Sequence, residues 1–513
     1  MSRVRFYITT AIDYANGLPH LGHAFEKIGA DVIARYHRLL GEDVRFLIGM
    51  DEHGQKVAQT AAERGMTPQA LADDVSDRFR EAWDSLNISY DQFIRTTDPH
   101  HKVGVQALIE RIFKHNPDDF YERSYEGWYC VGCEQFKKDS EIVEGKCTLH
   151  PTRLLEWSEE QNWFFRLSRY SAFLKDLLEE RPDFLQPDSR RNEILALIDS
   201  GLEDISITRS RLDWAIPFPR KSSNGEEQGT WVWFDALPNY LTATGFPDDS
   251  FQQWWPAQLH VIGKDITRLH AVIWPAMLES ARLPLPQRVW AHGFVNLAGE
   301  RFSKSAGVTL DLSGAIDRYG PDAFRYFLLR EIPWDDDGNF SIERFDERYT
   351  AELANDFGNL VNRSLSMVVR YRDGIVPTNA GNAELDAAAQ TAVGRYMDRM
   401  NAQRLHEGAA AVFALISEAN GFVEAQAPWK LAKDPARASD LDDVLASLVR
   451  TIAIVATLLF PFMPRKMADL WKRLGAEQGN LPQLAELGAL DAGGWSVTTG
   501  EVLFPRPDLA ASA

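Results

Sequence analysis

The spacing of apolar residues changes twice near the start of the chain. Residues 4–11 are mostly β-branched or aromatic, which predicts a strand, and the Asn-Gly pair at 16–17 predicts a turn. Between residues 21 and 40 the apolar positions recur at helical spacing, and Gly41 ends the pattern. Residues 44–48 predict a second strand. Strand, helix and strand in this order predict a βαβ unit with a parallel sheet and a right-handed crossover.

The pattern further along predicts an interrupted α/β domain followed by helices. Residues 118–228 mix Trp, Tyr, Cys and charged residues, which indicates an inserted domain. Apolar runs at 231–234, 259–262 and 289–295 predict that strands of the parallel sheet resume. From about residue 346 only helical spacing remains, which predicts a helical bundle. The predicted segments are 1–117 and 229–345 for the two halves of an α/β domain, 118–228 for the insert, and 346–513 for the bundle with its short tail.

Composition restricts the function classes. The 513 residues are 45% hydrophobic and 25% charged, which is ordinary for a soluble globular protein. Acidic residues number 74 against 55 basic ones, and the net charge of −19 excludes a generally basic nucleic-acid coat but not a local basic track. No secretory leader and no apolar run of about 20 residues is visible, so we expect a cytoplasmic protein without a membrane partner. Three cysteines do not suggest a disulfide framework.

Two histidines open the first predicted helix. The sequence NGLPHLGH at 16–23 places His20 and His23 three residues apart, on one helix face, directly after a strand. The carboxyl end of a strand is where open α/β sheets bind ligands, and a helix N-terminus favours anions. We therefore predict a phosphate-binding role; the alternative is a pair of surface histidines beside a turn.

A short basic loop follows the last predicted strand. The sequence RFSKSAG at 301–307 combines cationic and hydroxyl side chains, namely Ser303, Lys304 and Ser305. Such groups on a mobile loop suit a triphosphate in its transition state. An ordinary solvated loop is the alternative.

All three cysteines lie in one motif. Cys130 and Cys133 form the first pair, 13 residues lie between Cys133 and Cys147, and Cys147 and His150 form the second pair. Two such pairs supply three thiolates and one imidazole, a closed tetrahedral set suited to one structural Zn²⁺. Reduced cysteines without metal are the alternative.

Several sequence blocks together resemble one enzyme family. The HLGH and RFSKS motifs resemble the HIGH and KMSKS motifs of class I aminoacyl-tRNA synthetases. The blocks AIDYANG at 11–17, MDEHG at 50–54, WVWFDALPNY at 231–240 and HVIGKDITRLHAVIW at 260–274 resemble those of the methionyl-tRNA synthetase family, and the likeness covers nearly the whole chain. The fold class that this implies is α/β: a Rossmann-like parallel-sheet catalytic domain, interrupted by a zinc-knuckle insert and followed by an α-helical anticodon-binding bundle.

The resemblance implies a two-step reaction with an adenylate intermediate. Methionine would attack the α-phosphate of ATP, and the methionyl group would then pass to tRNA(Met), releasing AMP and pyrophosphate. His20, His23 and Lys304 would be the catalytic residues, and Mg²⁺ would accompany ATP. The remaining ATP-binding residues would be Gly263, Asp265, Ser303 and Ser305. Methionine would be bound by Asp51, at its ammonium, and by the pocket residues Ala11, Ile12, Tyr14, Trp233, Ala236, Leu237, Tyr240, Ile266, His270 and Trp274. Without this resemblance, most of these aromatic residues would simply be assigned to the core.

The same resemblance implies that the bundle reads the tRNA. Trp429 would stack on an anticodon base and Asn362 would contact another. A basic strip would guide the tRNA, and its candidates are Arg325, Arg330, Arg363, Arg370 and Lys430. We expect a monomer, because no dimerisation domain of the oligonucleotide-binding type follows the bundle.

Three positions depart from the family pattern. Arg301 stands where the loop motif has Lys, Asp13 stands where relatives often carry Pro or Tyr, and Ser366 stands where an arginine is expected. Two other readings of the whole chain remain open. One is another class I synthetase, the cysteinyl enzyme being nearest in size, and the other is a tRNA-binding relative without catalysis.

Overall fold

The computed structural model describes most of the chain. The described residues are 3–130, 135–137, 139–148, 150–210, 212–297, 300–301, 312–378, 381–475 and 481–506. None of the helices in these ranges is long and apolar enough to cross a membrane.

Strands and helices alternate in the first two-thirds of the chain, and helices dominate the rest. The strands are β1 Arg5–Thr10, β2 Asp13–Tyr14, β3 Asp43–Asp51, β4 Gln92–Arg95, β5 Phe120–Cys130, β6 Gln135–Lys137, β7 Ile142–Val143, β8 Lys146–Cys147, β9 His150–Leu154, β10 Glu156–Phe165, β11 Leu185–Gln186, β12 Ile205–Ser206, β13 Thr208–Arg209, β14 Gly229–Thr230, β15 Leu259–Gly263, β16 Val289–His292, β17 Val295–Leu297, β18 Glu300–Arg301 and β19 Gly338–Phe340. The α-helices are α1 Leu21–Leu39, α2 Gln55–Glu63, α3 Pro68–Ser85, α4 Pro99–His115, α5 Ser171–Glu180, α6 Asp188–Asp199, α7 Val232–Ala236, α8 Asn239–Thr242, α9 Trp274–Ser280, α10 Leu312–Tyr319, α11 Pro321–Glu331, α12 Ile342–Arg348, α13 Asn359–Arg372, α14 Ala383–Asn401, α15 Leu405–Gln426, α16 Pro428–Leu431, α17 Ala438–Leu459 and α18 Pro464–Arg473.

A seven-stranded parallel sheet forms the centre of the α/β part. Its order is β11-β16-β15-β1-β3-β2, with β4 also paired to β3, and every pairing is parallel. Side chains alternate between two apolar cores because successive strand residues point to opposite faces. Phe6 and Ile8 of β1 join one core and Tyr7 joins the other. The predicted α/β class and its Rossmann-like sheet are confirmed.

Helix α1 is buried along almost its whole length between the sheet and the helical part. At Gly29 an added Cβ would lie 2.1 Å from the ring of Trp334, so only glycine permits this approach. Charged residues inside the helix are paired: Asp31 contacts Arg35 at 2.8 Å and Arg325 at 2.6 Å. Because the charges are matched, the helix can be buried without unpaired ions.

The insert contains a long antiparallel pair of strands. β5 and β10 pair along ten residues, from Phe120 opposite Phe165 to Tyr129 opposite Glu156. The three short strands β7, β8 and β9 form a separate small sheet beyond the end of this pair. Strand β11 lies within the range of the predicted insert and pairs with β16 at the edge of the central sheet.

The C-terminal part is a bundle of helices, as predicted. The apolar stripe that includes Leu353, Phe357 and Leu365 is buried, but its first half lies in wide π-helical turns over Tyr349–Gly358. Tyr36 of α1 joins the two parts of the molecule, since its ring lies 5.9 Å from that of Tyr396 and its hydroxyl donates to Asn401 at 2.8 Å. One apolar core therefore extends from the sheet into the bundle.

Two details of the predicted elements are wrong. Residues 231–234 are predicted as a strand, whereas Val232–Ala236 forms the short buried helix α7. Four apolar residues in a row are compatible with either element, because such a run contains no polar positions that reveal a period. Residues 289–295 are predicted as one strand but form parts of β16 and β17, which are separated at Gly293, where an added Cβ would lie 2.0 Å from the carbonyl of Asp336.

Candidate active site

His20 and His23 cap helix α1 with each other's side chains. Nδ1 of His20 accepts the backbone N–H groups of Gly22 at 3.2 Å and His23 at 3.5 Å, and Nδ1 of His23 accepts the N–H of His20 at 3.3 Å. The two rings are stacked with their centroids 3.6 Å apart. This reciprocal arrangement is a capping box built from imidazoles, so it satisfies N–H groups that a helix start leaves unpaired.

The cap fixes the tautomer of both rings. A ring nitrogen that accepts an N–H carries no proton, so the proton of each neutral imidazole lies on Nε2. Both histidines can therefore act as Nε2–H donors. The first turn of α1 contains no acidic residue, and the helix follows β1 at the carboxyl edge of the parallel sheet. This end of the helix is thus suited to bind an anion.

The residues expected to bind methionine meet in one apolar cluster. Leu237, Tyr240 and Trp274 are buried members of this cluster, and Ala11, Ile12, Tyr14, Trp233 and Ile266 are half-buried residues packed against it. Ala236 is buried on helix α7, between Trp233 and Leu237. Ala11 follows β1 directly and donates its N–H to the carbonyl of Val261 on β15 at 3.0 Å. The structure therefore brings the pocket residues together from strands and short helices that are far apart in sequence.

A hydrogen-bonded pair supplies the polar groups of this pocket. Nδ1 of His270 lies 3.0 Å from the carbonyl of Ile266, so it carries the ring proton and Nε2 is an acceptor. The hydroxyl of Tyr240 lies 2.7 Å from that Nε2 and donates to it. Burial lowers the pKa of His270 to about 4, and the same burial raises the pKa of Tyr240 well above its usual value. The pair is therefore neutral and fixed in direction at physiological pH.

A second histidine lies behind this pair. Nε1 of Trp274 donates to Nε2 of His260 at 3.4 Å, so Nδ1 of His260 carries the proton and donates to Thr9 at 2.7 Å. The ring of His260 lies 4.3 Å from that of Tyr240. Burial lowers the pKa of His260 well below its usual range. The neutral His260 ring therefore packs against Tyr240 and limits its movement.

Two acidic residues and one glycine lie at or just beyond the ends of β3 and β15, the two strands that flank β1. Asp51 ends β3 and is 5% exposed, and Gly263 ends β15, where an added Cβ would lie 2.8 Å from Oδ1 of Asp265. Asp265 itself is exposed. These positions are at the same edge of the sheet as His20 and His23, because parallel strands end at one edge.

Two buried polar clusters near the pocket are absent from the sequence predictions. In the first, Lys27 and Glu26 of α1 form an ion pair at 2.7 Å, and Glu26 also contacts His292 at 3.2 Å. In the second, Asp235 joins His53 at 2.7 Å and His101 at 3.0 Å. Burial opposes ionisation of Asp235, but the two histidines keep the pKa of its carboxyl below the usual value. Charged residues inside otherwise apolar segments were the available signal, but the partners His53, His101 and His292 lie far away in the sequence.

The basic loop lies outside the described residues. The loop residues Ser303, Lys304 and Ser305 are therefore not placed here. Arg301, just before them, ends the short strand β18, which pairs with β17. The loop is therefore attached directly to a hairpin that begins three residues after β16 of the central sheet.

The cysteine motif is described in part. Cys130 and Cys147 are 2% and 1% exposed and share a small apolar cluster with Leu155. Cys147 lies opposite His150 in the pairing of β8 with β9. Cys133 and the side chain of His150 lie outside the described residues. Within the described part, no three His, Cys, Asp or Glu side chains form a metal-binding group.

The two residues expected to read the anticodon are near each other. Trp429 is half-buried on α16, and the guanidinium carbon of Arg363 lies 5.8 Å from its ring centroid. Asn362 precedes Arg363 on α13 and is exposed. Arg363 also pairs with Glu424 at 2.7 Å, which joins α13 to the end of α15.

The prediction that Arg325 belongs to an exposed basic strip is wrong. Arg325 is 0% exposed, pairs with Asp31, and donates to the carbonyls of Leu86, Pro461 and Phe462. It is a buried connection between α1, α11 and the end of α17 and cannot contact a tRNA. Arg330 is half-buried and pairs with Glu352 at 3.1 Å, whereas Arg370 and Lys430 are exposed.

Comparison with known proteins agrees with this architecture over its full length. The family model "tRNA synthetases class I (M)" matches residues 6–154 and 152–365, and the model "Anticodon binding domain of methionyl tRNA ligase" matches residues 376–508. A methionine–tRNA ligase of Brucella suis is 43% identical over 517 residues, which cover 99% of this chain and 98% of that protein. One of Caldanaerobacter subterraneus subsp. tengcongensis is 41% identical and covers 98% of this chain and 79% of its own length.

A solved structure shows the same fold. Mycobacterium tuberculosis methionyl-tRNA synthetase in complex with methionyl-adenylate superposes with a TM-score of 0.92 at 40% identity, covering 98% of this chain and 100% of that one. The apo form of the enzyme from the same organism superposes with a TM-score of 0.87 at 38% identity, with 99% of each chain covered. The chain belongs to the methionyl-tRNA synthetase family of class I aminoacyl-tRNA synthetases.

Proposed function

We propose that this protein is a methionine–tRNA ligase. It uses ATP to convert L-methionine to methionyl-adenylate, with release of pyrophosphate, and transfers the methionyl group to tRNA(Met), with release of AMP. The observation that carries this proposal is the position of the His20–His23 cap and the Tyr240–His270 pair around one edge of the parallel sheet. The histidine cap provides hydrogen-bond donors for phosphate, and the Tyr240–His270 pair lies in a neutral, largely apolar pocket.

In the first step the protein positions its reactants and stabilises charge. The methionine carboxylate attacks the α-phosphate of ATP, the bond to the β-phosphate bridging oxygen breaks, and pyrophosphate leaves. His20 and His23 donate from Nε2 to phosphate oxygens as negative charge moves onto them. Lys304, with Ser303 and Ser305, stabilises the leaving pyrophosphate from the loop. Gly263 and Asp265 lie on the side proposed to hold the adenosine.

Methionine is recognised at both of its ends. The carboxylate of Asp51 binds the ammonium. The thioether tail enters the cluster around Tyr240, where aromatic rings contact sulfur favourably. Since the hydroxyl of Tyr240 donates a hydrogen bond to His270 and both groups are neutral, the pocket presents fixed neutral dipoles to the tail. Apolar pockets distinguish side chains that differ by one methylene by only about 1–3 kcal/mol, so the polar pair contributes to specificity.

The bundle binds the anticodon arm. Trp429 stacks on an unpaired base, and the neighbouring Arg363 places a positive charge over the same ring. Asn362 is exposed beside it and can donate to or accept from a base edge. Arg370 and Lys430 extend this exposed basic surface. Recognition by a few local contacts agrees with an overall charge of −19, which opposes non-specific RNA binding.

One zinc ion per chain is part of this proposal. The buried Cys130 and Cys147 share one small cluster, and the register of β8 and β9 brings His150 opposite Cys147, which fits a site completed by Cys133. When bound, Zn²⁺ would have a structural role, because a four-ligand site leaves no open position for chemistry. It would hold the two ends of the knuckle together. Mg²⁺ enters with ATP and neutralises part of the phosphate charge. We further propose that the protein acts as a monomer in the cytoplasm. Its catalytic domain would consist of two halves, at 1–117 and 229–345, with the inserted domain at 118–228 and the anticodon-binding bundle with its short tail at 346–513.

Amino-acid-resolved ATP–pyrophosphate exchange tests the proposal. We expect exchange with methionine and much slower exchange with cysteine, isoleucine or valine. Exchange that prefers cysteine would assign another class I specificity, and exchange with none of them would leave a tRNA-binding relative. Aminoacylation of purified tRNA(Met), compared with a tRNA that carries a different anticodon, then tests the second step.

A further inference from the structure

A buried ammonium lies beneath the candidate active site. The side chain of Lys27 is 0% exposed, and its Nζ donates to the carbonyl of Ala11 at 2.8 Å, to Oδ1 of Asp13 at 3.0 Å and to Oε1 of Glu26 at 2.7 Å. An ammonium has three N–H groups, so all three are used. A charge this deeply buried is stable only when its partners are complete, so the contacts of Lys27 are specific.

The contacts of Lys27 connect the two ends of the active site. Ala11 is part of the methionine pocket wall, whereas Lys27 lies on α1, one helical turn after His23. The hydrogen bond between Nζ of Lys27 and the Ala11 carbonyl therefore sets how far the pocket wall lies from the helix that carries the phosphate-binding histidines.

Asp13 faces one of those histidines. Its Oδ1 lies 4.0 Å from Nε2 of His23, which is the proton-bearing nitrogen because Nδ1 accepts the N–H of His20. The distance exceeds that of a hydrogen bond, but a carboxylate at 4 Å still attracts the N–H dipole. The second carboxylate oxygen of Asp13, Oδ2, is buried and has no hydrogen-bond partner among the described residues.

The charges around Asp13 are arranged so that phosphate can approach. An isolated carboxylate beside His23 would repel the phosphates of ATP, and the ammonium of Lys27 weakens this repulsion. Glu26 shares the same ammonium from the other side and contacts His292 of β16 at 3.2 Å. The four groups alternate as carboxylate, ammonium, carboxylate and imidazole.

We infer that Asp13 and Lys27 are a positioning pair for adenylate formation. This inference rests on the proposed function. Lys27 holds the methionine pocket wall against α1, and Asp13 orients the Nε2–H of His23, so that the methionine carboxylate and the α-phosphate lie within attacking distance. Neither residue touches a substrate in this role. Because the pair affects relative placement, its loss should lower kcat more than it raises either KM.

The charge of Asp13 gives this role a pH signature. The groups that face its carboxyl are Lys27, Glu26 and His23 of α1, and His292 lies behind Glu26. Burial raises the pKa of Asp13 to about 7, although the Lys27 ammonium opposes this rise. Asp13 therefore gains charge as the pH rises through neutrality.

Exchange kinetics of four proteins test the inference: the wild type, Asp13→Asn, Lys27→Met and the double variant. We expect each single variant to lower kcat about tenfold at pH 7.5 while both KM values stay within about threefold. The double variant should be no slower than the slower single variant, because the two residues act as one unit. The wild-type profile between pH 6 and 9 should contain a change near pH 7 that Asp13→Asn lacks. As controls, Asp386→Asn and Arg450→Met remove a half-buried ion pair of the bundle, at 2.6 Å, and should leave kcat unchanged.

Any of three results would contradict the inferred role of the pair. The first is a double variant whose loss of kcat is the product of the two single losses. The others are KM values that rise while kcat stays unchanged, and identical pH profiles for the wild type and Asp13→Asn. If Lys27→Met fails to fold, Asp13→Asn carries the test, since asparagine keeps the shape of the side chain. A wild type without methionine-dependent exchange would contradict the proposed function itself, whereas an active wild type with equally active variants contradicts only the pair.

Discussion

The hydroxyl of Tyr240 donates a hydrogen bond of 2.7 Å to Nε2 of His270 inside the proposed methionine pocket. Tyr240→Phe would leave a buried acceptor without its donor, at a cost of about 1–3 kcal/mol. We expect kcat/KM for methionine to fall roughly 10- to 100-fold, mainly through KM, because the thioether end does not react. Exchange kinetics with methionine and norleucine measure this. Tyr349→Phe removes a comparable hydroxyl, bonded to the carbonyl of Pro505 at 2.8 Å, and an equal loss there would argue against a role in recognition.

Burial of His270 predicts a pH dependence of stability. Its pKa is lowered from 6.5 to about 4, so between these values the unfolded chain binds a proton that the folded chain does not. The stability that His270 contributes is thus present above pH 6.5 and is lost as the pH falls towards 4, by roughly 3 kcal/mol in total. Urea unfolding at pH 6.5 and 5 should show a smaller loss for His270→Gln than for the wild type, by about 2 kcal/mol. His100→Gln, at an exposed position, is the matched control and should lose as much stability between these pH values as the wild type. If His270→Gln also loses as much stability as the wild type, the prediction is wrong.

Lys304 is predicted to act in the transition state. Lys304→Ala should lower kcat of pyrophosphate exchange by about 100-fold or more, since it removes a charge that stabilises the leaving pyrophosphate. The dissociation constant of methionine, measured by equilibrium dialysis, should stay within about twofold. Lys472→Ala on α18 removes an exposed lysine and serves as the control. Equal losses in binding and in rate would assign Lys304 to substrate binding instead.

Trp429 is predicted to affect only the tRNA-dependent step. Trp429→Ala should reduce kcat/KM for tRNA(Met) by roughly 10- to 100-fold, the contribution of one stacked base, and leave pyrophosphate exchange unchanged. Trp429→Phe keeps an aromatic face and should lose less. A parallel loss of exchange in the alanine variant would show that Trp429 stabilises the fold, because its ring is also half-buried.

The cysteine motif predicts a measurable metal content. Elemental analysis of the undenatured protein should find one zinc per chain, and Cys130→Ser or Cys147→Ser should lose it together with some thermal stability. His406→Ala, which removes a half-buried histidine of the bundle, should keep the metal. A wild-type protein without zinc would exclude the knuckle.

The sequence predicted those parts of the fold that depend on local spacing. The strands β1 and β3, the helix α1 and the stop at Gly41 follow from period and turn chemistry, and Gly41 does adopt a positive φ of 83°. The error at α7 has a physical cause, since a short apolar run surrounded by protein carries no periodicity.

The candidate site shows a similar limit. His20 and His23 could be found because they lie three residues apart at a predicted helix start. The roles of Lys27 and Arg325 could not be predicted from sequence, because only the tertiary structure shows that both are buried and brings Asp13 to Lys27 and Asp31 to Arg325. A surface role for Arg325 followed from its charge, and its burial against Asp31 reverses that interpretation.

The apolar core that passes from the sheet through α1 into the bundle has a consequence for how the protein can be divided. The catalytic half relies on bundle residues to cover α1, as the contacts of Tyr36 with Tyr396 and Asn401 show. A fragment that ends before the bundle would expose this surface to water and to other chains, so it would aggregate rather than fold as a minimal enzyme. The parts that divide the work of catalysis and tRNA recognition therefore share one core, and the residues around α1 and the bundle should unfold together rather than in two separate steps.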